Sequence, residues 1–273
     1  MVSKNAYPKL DSMLAERQNR ILEIAKQMGR VTVEDLASRF DVSPQTIRKD
    51  LNELCDQRLL ARVHGGAILS SGIENVGYDA RRAIAGEEKE AIGRLAATLI
   101  PNNASLFVTI GTTTEAVARA LVQHAGLMVI TNNINVANAM RPYPALEVII
   151  AGGVVRRSDG GIVGEAAVDF IRQFRVDYAI IGVSAIDEDG SLLDYDFREV
   201  KVAQAIISNA RHVVLVADAT KFQRAAPVRI GHLSQVGSFV TDRCESGAIR
   251  RICAEAQIDL HEAMPAHSVS ESA

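Results

Sequence analysis

The chain has no tryptophan, and aromatic residues make up only 4% of its 273 positions. Its packing must therefore come from Ile, Val, Leu and Ala, a composition that suits α/β folds. Cysteine is scarce. Cys55, Cys244 and Cys253 are an odd number with no metal-ligand spacing, which argues against a disulfide framework and reads as reduced core thiols. The six histidines show no ligand spacing either, so neither a metal nor a cofactor is expected. No apolar run approaches the length of a membrane span, and the opening Met-Val-Ser-Lys-Asn-Ala-Tyr-Pro lacks the apolar segment of a secretory signal; a cytoplasmic protein is expected. A strong charge of one sign is also missing. The formal net charge is −3, and residues 1–64 carry eleven Lys and Arg against nine Asp and Glu, so any basic patch must be local. Neither Gly-x-x-x-x-Gly-Lys-Ser/Thr nor a Gly-x-Gly-x-x-Gly after a strand occurs, which leaves ATP, GTP and dinucleotides unsupported. What is abundant is aliphatic residue: 48% of the chain is hydrophobic, ample for two domains or one large α/β unit.

The most informative stretch is Thr32 to Gly66. Thr32 is placed to cap a helix from Val33 to Arg39, with Asp35 completing an approximate capping box and Leu36, Ala37 and Phe40 forming the buried stripe. A short Asp41-Val42 turn leads to Ser43, a good N-cap, and Pro44 suits the first helical position because its missing N–H would be an orphan there. In the helix that follows, Ile47, Leu51 and Leu54 recur at i, i+4, i+7, which turns Gln45, Thr46, Arg48, Lys49 and Asn52 to the other face. Gln pairs well with adenine and Arg with guanine, while Ser43, Thr46 and Lys49 suit phosphate contacts. Leu59 to Val63 and Ala67 to Leu69 then flank Gly65-Gly66, which is expected to turn a two-stranded wing bearing Arg62 and His64. The bland alternative is a helical hairpin with a solvated charged face. Two caps, the proline, the short turn and the wing together favour a winged helix-turn-helix that binds double-stranded operator DNA through Thr32, Ser43, Gln45, Thr46, Arg48, Lys49, Asn52, Arg62 and His64.

A preceding helix, Met13 to Met28 with Gly29 as C-cap, completes this first domain, and Ser70-Ser71-Gly72 reads as a hinge. The expected division is 1–72 for DNA binding, 73–264 for an α/β domain and 265–273 for a disordered tail. Gly86 to Leu99, stopped by Pro101, predicts a helix. Buried strands are expected at Ser105 to Ile110, Leu127 to Thr131, Leu146 to Ala151, Val176 to Val183 and His212 to Ala217. Helices are expected between them near Thr114 to Gln123, Ile134 to Met140, Glu165 to Gln173 and Arg198 to Asn209; Gln235 to Thr241 and Glu245 to Ala256 complete the domain. Such alternation implies a mostly parallel sheet covered on both faces, with ligands at the strand ends.

The strand-end loops are small and polar. Gly111, Thr112, Thr113 and Thr114 follow the first strand, where backbone N–H groups and hydroxyls at a helix N-terminus can cradle a phosphate. Asn132 and Asn133 follow the second strand, Gly152 and Gly153 the third, Asp187 the fourth, and Asp218 to Lys221 the fifth, with Lys221 available as countercharge. Arg156 to Glu165, including Gly161, reads as a mobile flap. Thr-rich turns also cap helices, and Asp187, Asp196 and Glu199 could equally be surface charge.

Val-Ser-Pro-Gln-Thr-Ile-Arg-Lys-Asp-Leu-Asn-Glu-Leu (42–54) with Arg-Val-His-Gly-Gly-Ala (62–67) resembles the DeoR family of bacterial transcriptional repressors, over nearly the full length of the chain. The resemblance implies a repressor, a homodimer or homotetramer, whose sensor domain binds a phosphorylated metabolite. The runs Ile110–Leu121, Ile130–Asn138 and Asp159–Ala166, with Asp169–Arg175, are similar to members answering to glycerol 3-phosphate, which is the favoured effector. The sensor also resembles ribose-5-phosphate isomerase, matching its phosphate loop at Gly111 to Thr114, its acidic loop at Asp187 and its Arg-Glu-Lys pattern loosely at Arg198-Glu199-Val200-Lys201. That raises a rival, an isomerase-like enzyme with Glu199 as general base and Lys221 stabilising an enediolate. It is disfavoured, because Leu192-Leu193-Asp194-Tyr195-Asp196-Phe197 replaces the enzyme's Gly-rich run and leaves the catalytic set incomplete.

Overall fold

The computed structural model describes residues 16–28, 30–56, 59–63, 65–69, 78–83 and 85–263. Gly29, His64, the Ser70-Ser71-Gly72 hinge and the tail 265–273, all singled out in the sequence, lie outside the described residues. The chain divides into two compact units, Met1–Gly72 and Ile73–Ala273.

In the first unit the helices are α1 (Glu16–Met28), α2 (Val33–Phe40) and α3 (Pro44–Asp56), and the strands are β1 (Arg30–Thr32), β2 (Leu60–Val63) and β3 (Gly66–Leu69). Ile47, Leu51 and Leu54 of α3 are wholly buried with Ile21 and Ala25 of α1, Leu36 of α2 and Leu60 of β2. Each of the Ile and Leu side chains contributes roughly 1.5–3 kcal/mol. Asp50 is buried on the same helix because Arg17 reaches it from α1, Nε to Oδ2 at 2.5 Å.

Three details differ from the sequence reading. The wing sheet has three strands, ordered β1-β3-β2, because Arg30–Thr32 pairs antiparallel with Gly66–Ile68. The hairpin turn is also not Gly65-Gly66. Val63 pairs with Gly66, so Gly66 is a strand residue. Its lack of a side chain serves β1 instead: a Cβ at Gly66 would run into the backbone carbonyl of Val31. The Thr32 cap is also half of the expected box. Thr32 Oγ1 accepts from Asp35 N at 3.2 Å, but the Asp35 carboxylate takes the Thr32 hydroxyl at 2.7 Å rather than the Thr32 backbone N–H.

The second unit runs α4 (Tyr78–Ala83), α5 (Gly86–Thr98), β4 (Ser105–Val108), α6 (Thr112–Leu121), β5 (Leu127–Thr131), α7 (Ile134–Met140), β6 (Leu146–Ile150), β7 (Val154–Val155), β8 (Ile162–Val163), α8 (Glu165–Ile171), β9 (Val176–Ile181), β10 (Ala185–Ile186), β11 (Ser191–Asp194), α9 (Phe197–Ser208), β12 (Ala210–Val216), β13 (Val228–His232), β14 (Ser238–Thr241), α10 (Gly247–Glu255) and β15 (Asp259–Glu262). Seven strands form one sheet, ordered β15-β14-β12-β9-β4-β5-β6, with every neighbouring pair parallel. Alternation along the strands feeds two cores. Leu106, Val108, Ile180, Val214 and Val216 pack with Ile92, Val117, Leu121 and Met140 of α5, α6 and α7 on one face. Phe107, Ala179, Ile181, Val213 and Leu215 pack with Val168, Val202, Ile206 and Ile249 of α8, α9 and α10 on the other. A parallel sheet is stable only when covered in this way. Cys244 and Cys253 are buried and Cys55 half-buried, and none of the three is in a disulfide among the described residues. Among the described residues no helix is long and apolar enough to cross a membrane.

The expected strand ends shift by a residue or two, and the expected piece Gln235 to Thr241 proves to be a 3-10 turn, Leu233–Gln235, followed by β14. Of the expected flap Arg156 to Glu165, Arg156 to Gly161 is the loop of a small hairpin, β7 with β8, and the remainder enters β8 and the start of α8.

Gly66 and Gly65 make different demands, and substitution should separate them. Gly66→Ala should lower the stability of the first unit by more than about 2 kcal/mol, as overpacking against backbone does. Gly65→Ala, at φ +76 with open space around it, should cost only about 1 kcal/mol. Equal losses in urea unfolding would mean that β1 does not clamp the wing.

Candidate functional site

On α3 the face opposite the core carries Gln45, Arg48, Lys49 and Asn52, all exposed, with Thr46 half-buried. Ser43 Oγ accepts from Thr46 N at 3.2 Å and so acts as the N-cap. Lys49 approaches Glu53 at 4.0 Å, whereas Arg48 has no acidic partner among the described residues. Thr32 is half-buried and committed to its cap. Arg62 lies in β2, and only its backbone is described.

In the second unit β5, β4, β9 and β12 are adjacent and parallel, so the loops after them open at one carboxyl edge. Gly111 sits at φ 149, a conformation left to glycine, and α6 begins after it with no side-chain cap. The first N–H groups of α6, from Thr112 onward, therefore point out of the helix end at this edge. Thr114 is spent inward, its Oγ1 donating to Thr109 O and Gly111 O, each at 2.8 Å. Asn133 is also structural. Its Oδ1 caps α7 by accepting from Asn135 N at 2.8 Å, and its amide donates to Glu115 Oε1 at 3.0 Å. Asn132 donates to Ile162 O at 3.0 Å, but its buried Oδ1 has no partner.

Asn132 lines a narrow cleft of about 10 Å³, the room one water needs, together with Thr109, Ile110, Gly182, Asp194, Glu199, Ala203 and Ile230. Of the effector-site residues expected from the sequence, Asn132 and Glu199 line this cleft, and Gly161 packs against Ile110 beside it. Gly152 and Gly153 are exposed and do not line it. Asp187 does not reach it: the residue is exposed in the β10–β11 turn, where its N–H donates to Ser191 O at 3.0 Å. The buried carboxylate in this loop region is Asp194, bonded by Ser184 Oγ at 3.1 Å and Tyr195 N at 2.6 Å. An apolar run ending in a lone Asp, Ser-Leu-Leu-Asp, was the available signal, and it reads as core until the antiparallel β10–β11–β13 sheet is seen.

The flap reading also changes. Arg156 donates to Asp159 through Nε at 2.9 Å and Nη2 at 2.6 Å, to Asp196 at 3.2 Å and to Glu199 at 2.6 Å, tying the β7–β8 loop to the start of α9. Arg81 reaches Asp159 at 3.3 Å and Arg198 reaches Asp196 at 2.8 Å. Three guanidiniums thus serve Asp159, Asp194, Asp196 and Glu199, one carboxylate too many. Burial, with Asp194 adding its charge, pushes Glu199 up to about 8. The Arg198 hydrogen bond holds Asp196 down at about 2. Glu199 is thus no surface charge; its side chain is 16% exposed.

Lys221 is buried at the end of β12, and burial, against the attraction of Asp218, brings its ammonium down to about 8. Asp218 is opposed by burial yet kept below the usual carboxylate range by Lys221 and Lys89. No group of three or more His, Cys, Asp or Glu placed to hold a metal occurs among the described residues.

The Glu199 shift has a stability consequence. From the ordinary 4.5 up to about 8, the unfolded chain gives up this proton while the native chain keeps it. Native stability therefore falls as pH rises through that window, by at most about 1.4 kcal/mol per pH unit. Glu199→Gln should remove that slope while keeping an acceptor for Arg156; urea titrations at pH 5 to 8 with parallel slopes for both proteins would refute the buried proton.

A DeoR-like helix-turn-helix domain matches residues 17–72, and a DeoR C-terminal sensor domain matches residues 84–243. The chain is 49% identical to the glycerol-3-phosphate regulon repressor of Escherichia coli (strain K12), covering 90% of this chain and 97% of that one. It is 38% identical to the HTH-type transcriptional repressor CsqR of the same organism, covering 89% and 94%. Among solved structures, ribose 5-phosphate isomerase A from Neisseria gonorrhoeae aligns at 12% identity over 49% of this chain and 52% of that one, with a TM-score of 0.37, an overlap that carries no argument. The full-length match, together with both halves of the domain pair, means that the chain belongs to the DeoR family of helix-turn-helix transcriptional repressors.

Proposed function

We propose that this repressor acts in the cytoplasm, that its first unit, 1–72, lays α3 in the major groove of operator DNA, and that a phosphorylated metabolite bound to the second unit, 73–264, releases it. The observation that carries the reading is the split of α3 between a buried Ile47-Leu51-Leu54 stripe and an exposed face on which Arg48 has no acidic partner among the described residues. Such a guanidinium is free to take the O6 and N7 of guanine, while Lys49 and Ser43 suit phosphates. Two copies on half-sites related by a dyad, as a dimer or tetramer, fit this kind of helix.

Glycerol 3-phosphate is the effector we favour, and glycerol-phosphate catabolism the process controlled. Its support is the 49% identity to a protein named for that regulon, together with the uncapped N-terminus of α6 at the same sheet edge as Lys221. Release requires the ligand to prefer the DNA-incompetent arrangement, since equal affinity for both would shift nothing. An isomerase role has less support. Glu199, its proposed base, is engaged by Arg156 at 2.6 Å, so the constellation suits binding rather than proton transfer.

Arg48→Ala should cost about 1–3 kcal/mol of operator affinity and relax one base position, whereas Lys49→Ala should weaken all sequences alike. Unchanged affinity of both variants at fixed salt would remove this face from the groove. In the other unit, Thr113→Leu and Lys221→Glu should both give repression that no longer responds to glycerol 3-phosphate. Release of DNA by both at wild-type ligand concentrations would put the effector elsewhere.

A further inference from the structure

Two parts of the carboxyl edge, the first turn of α6 and the β7–β8 loop, are both tied to one short helix. α4 (Tyr78–Ala83) is the first described element of the second unit, the one the chain meets after leaving the helix-turn-helix unit. It has six residues, too few for a helix to persist in water by itself. None of its described side chains belongs to either hydrophobic core of the unit. What fixes it is polar. The Tyr78 hydroxyl donates to Glu115 Oε2 of α6 at 2.6 Å, Arg81 Nη2 donates to Asp159 Oδ2 in the β7–β8 loop at 3.3 Å, and Lys89 Nζ of α5 donates to the Arg81 carbonyl at 2.5 Å. The Arg81 guanidinium also lies over the Tyr78 ring, 5.9 Å from its centroid.

The two carboxylates that hold α4 are not surface groups. Glu115 and Asp159 are each only 5% exposed. Glu115 lies in the first turn of α6, directly after Thr112, Thr113 and Thr114, and its Oε1 accepts from the amides of Asn133 and Asn135, each at 3.0 Å. Asp159 shares Arg156 with Glu199, which lines the cleft: Arg156 Nη2 donates to both carboxylates at 2.6 Å. The Asn135 amide joins the two attachments, standing 3.0 Å from the Tyr78 hydroxyl, from Glu115 Oε1 and from the Asp159 carbonyl. The route from α6 to α4 is thus one hydrogen bond long, and the route from the cleft runs Glu199, Arg156, Asp159, Arg81 without a gap. Burial and the Glu115 bond push the Tyr78 phenol up to about 12, so it remains a donor at neutral pH.

A short helix held by directional polar contacts rather than by apolar burial belongs to the low-stability part of a fold, the part that local rearrangements draw on. A ligand that shifts the first turn of α6, or that draws Glu199 away from Arg156, changes how well α4 is held, and a difference in affinity for the two arrangements is what release requires. We propose that Tyr78 and Arg81 are positioning residues for the effector response, which make α4 the element through which occupation of the carboxyl edge alters operator affinity. Neither side chain touches the effector in this role; each acts through the carboxylate that it holds. The proposal rests on the reading of the second unit as a sensor of a phosphorylated metabolite.

Operator affinity of the full-length protein, measured at fixed salt with and without saturating glycerol 3-phosphate, gives a ratio that reads the coupling alone. For the wild type a ratio of about 5–150 is expected, the usual range for coupled sites. Tyr78→Phe removes one hydroxyl and Arg81→Gln one charge; each should cut the ratio several-fold, and the double variant should bring it to about 1, the value for uncoupled sites. Arg81→Lys, which keeps a cation for Asp159, should recover most of the Arg81→Gln loss. Calorimetry should show glycerol 3-phosphate still binding both single variants, and both should melt cooperatively. A wild-type ratio in Tyr78→Phe and Arg81→Gln, whatever their melting temperatures, would overturn the role of α4. Loss of glycerol 3-phosphate binding in the folded variants would overturn it too, by placing these side chains in the ligand site. A wild type whose operator affinity ignores glycerol 3-phosphate would overturn the sensing reading itself, and the coupling with it.

Discussion

Charge buried at the carboxyl edge of the parallel sheet is the constraint around which the second unit is arranged. A seven-stranded parallel sheet with both faces covered has only its strand ends free for polar chemistry, so ionisable residues crowd there. Arg156 gathers Asp159, Asp196 and Glu199, and Lys221 follows Asp218 in the turn after β12. With Asp194 included, four carboxylates face the three guanidiniums of Arg81, Arg156 and Arg198, so the acidic group is out of balance by one negative charge. A rigid protein keeps such an imbalance only where something else supplies the missing partner, here a retained proton near Glu199.

The same economy explains the β7–β8 hairpin. Its loop is polar and Gly-rich, features that in isolation describe a mobile segment. Arg156 converts it into a strut, because breaking its contacts would strand a guanidinium and several carboxylates away from water. The hairpin thereby holds Gly161 against Ile110 and Asp159 within reach of Arg81, which orders the edge before any ligand arrives. Preorganisation of this kind reduces the entropy that binding must overcome.

In the first unit the controlling feature is local. The Ser43-Pro44 start, the i, i+4, i+7 stripe and the Arg17–Asp50 pair orient α3 so firmly that Gln45, Arg48, Lys49 and Asn52 stay exposed. The strand β1 adds a less obvious tie. By pressing on Gly66 it joins the start of α2 to the wing, so the two parts of the fold that flank α3 are one piece of sheet.

The sequence by itself determined what short-range periodicity and caps can encode: α2, α3 and their turn, the five long apolar strands, the helices between them, and the presence of polar loops after each strand. Those signals are local because an apolar stripe or a cap needs only neighbours in the chain. Membership of the DeoR family was equally legible, since its motifs are contiguous. Tertiary structure alone decided the rest. The third wing strand and the true role of Gly66 depend on a pairing across more than thirty residues. The two-residue strands β7, β8 and β10 carry too few residues to show a period. Asp194 rather than Asp187 supplies the buried carboxylate, because β11 pairs between β10 and β13 and carries Asp194 inside while Asp187 stays in the exposed turn before it.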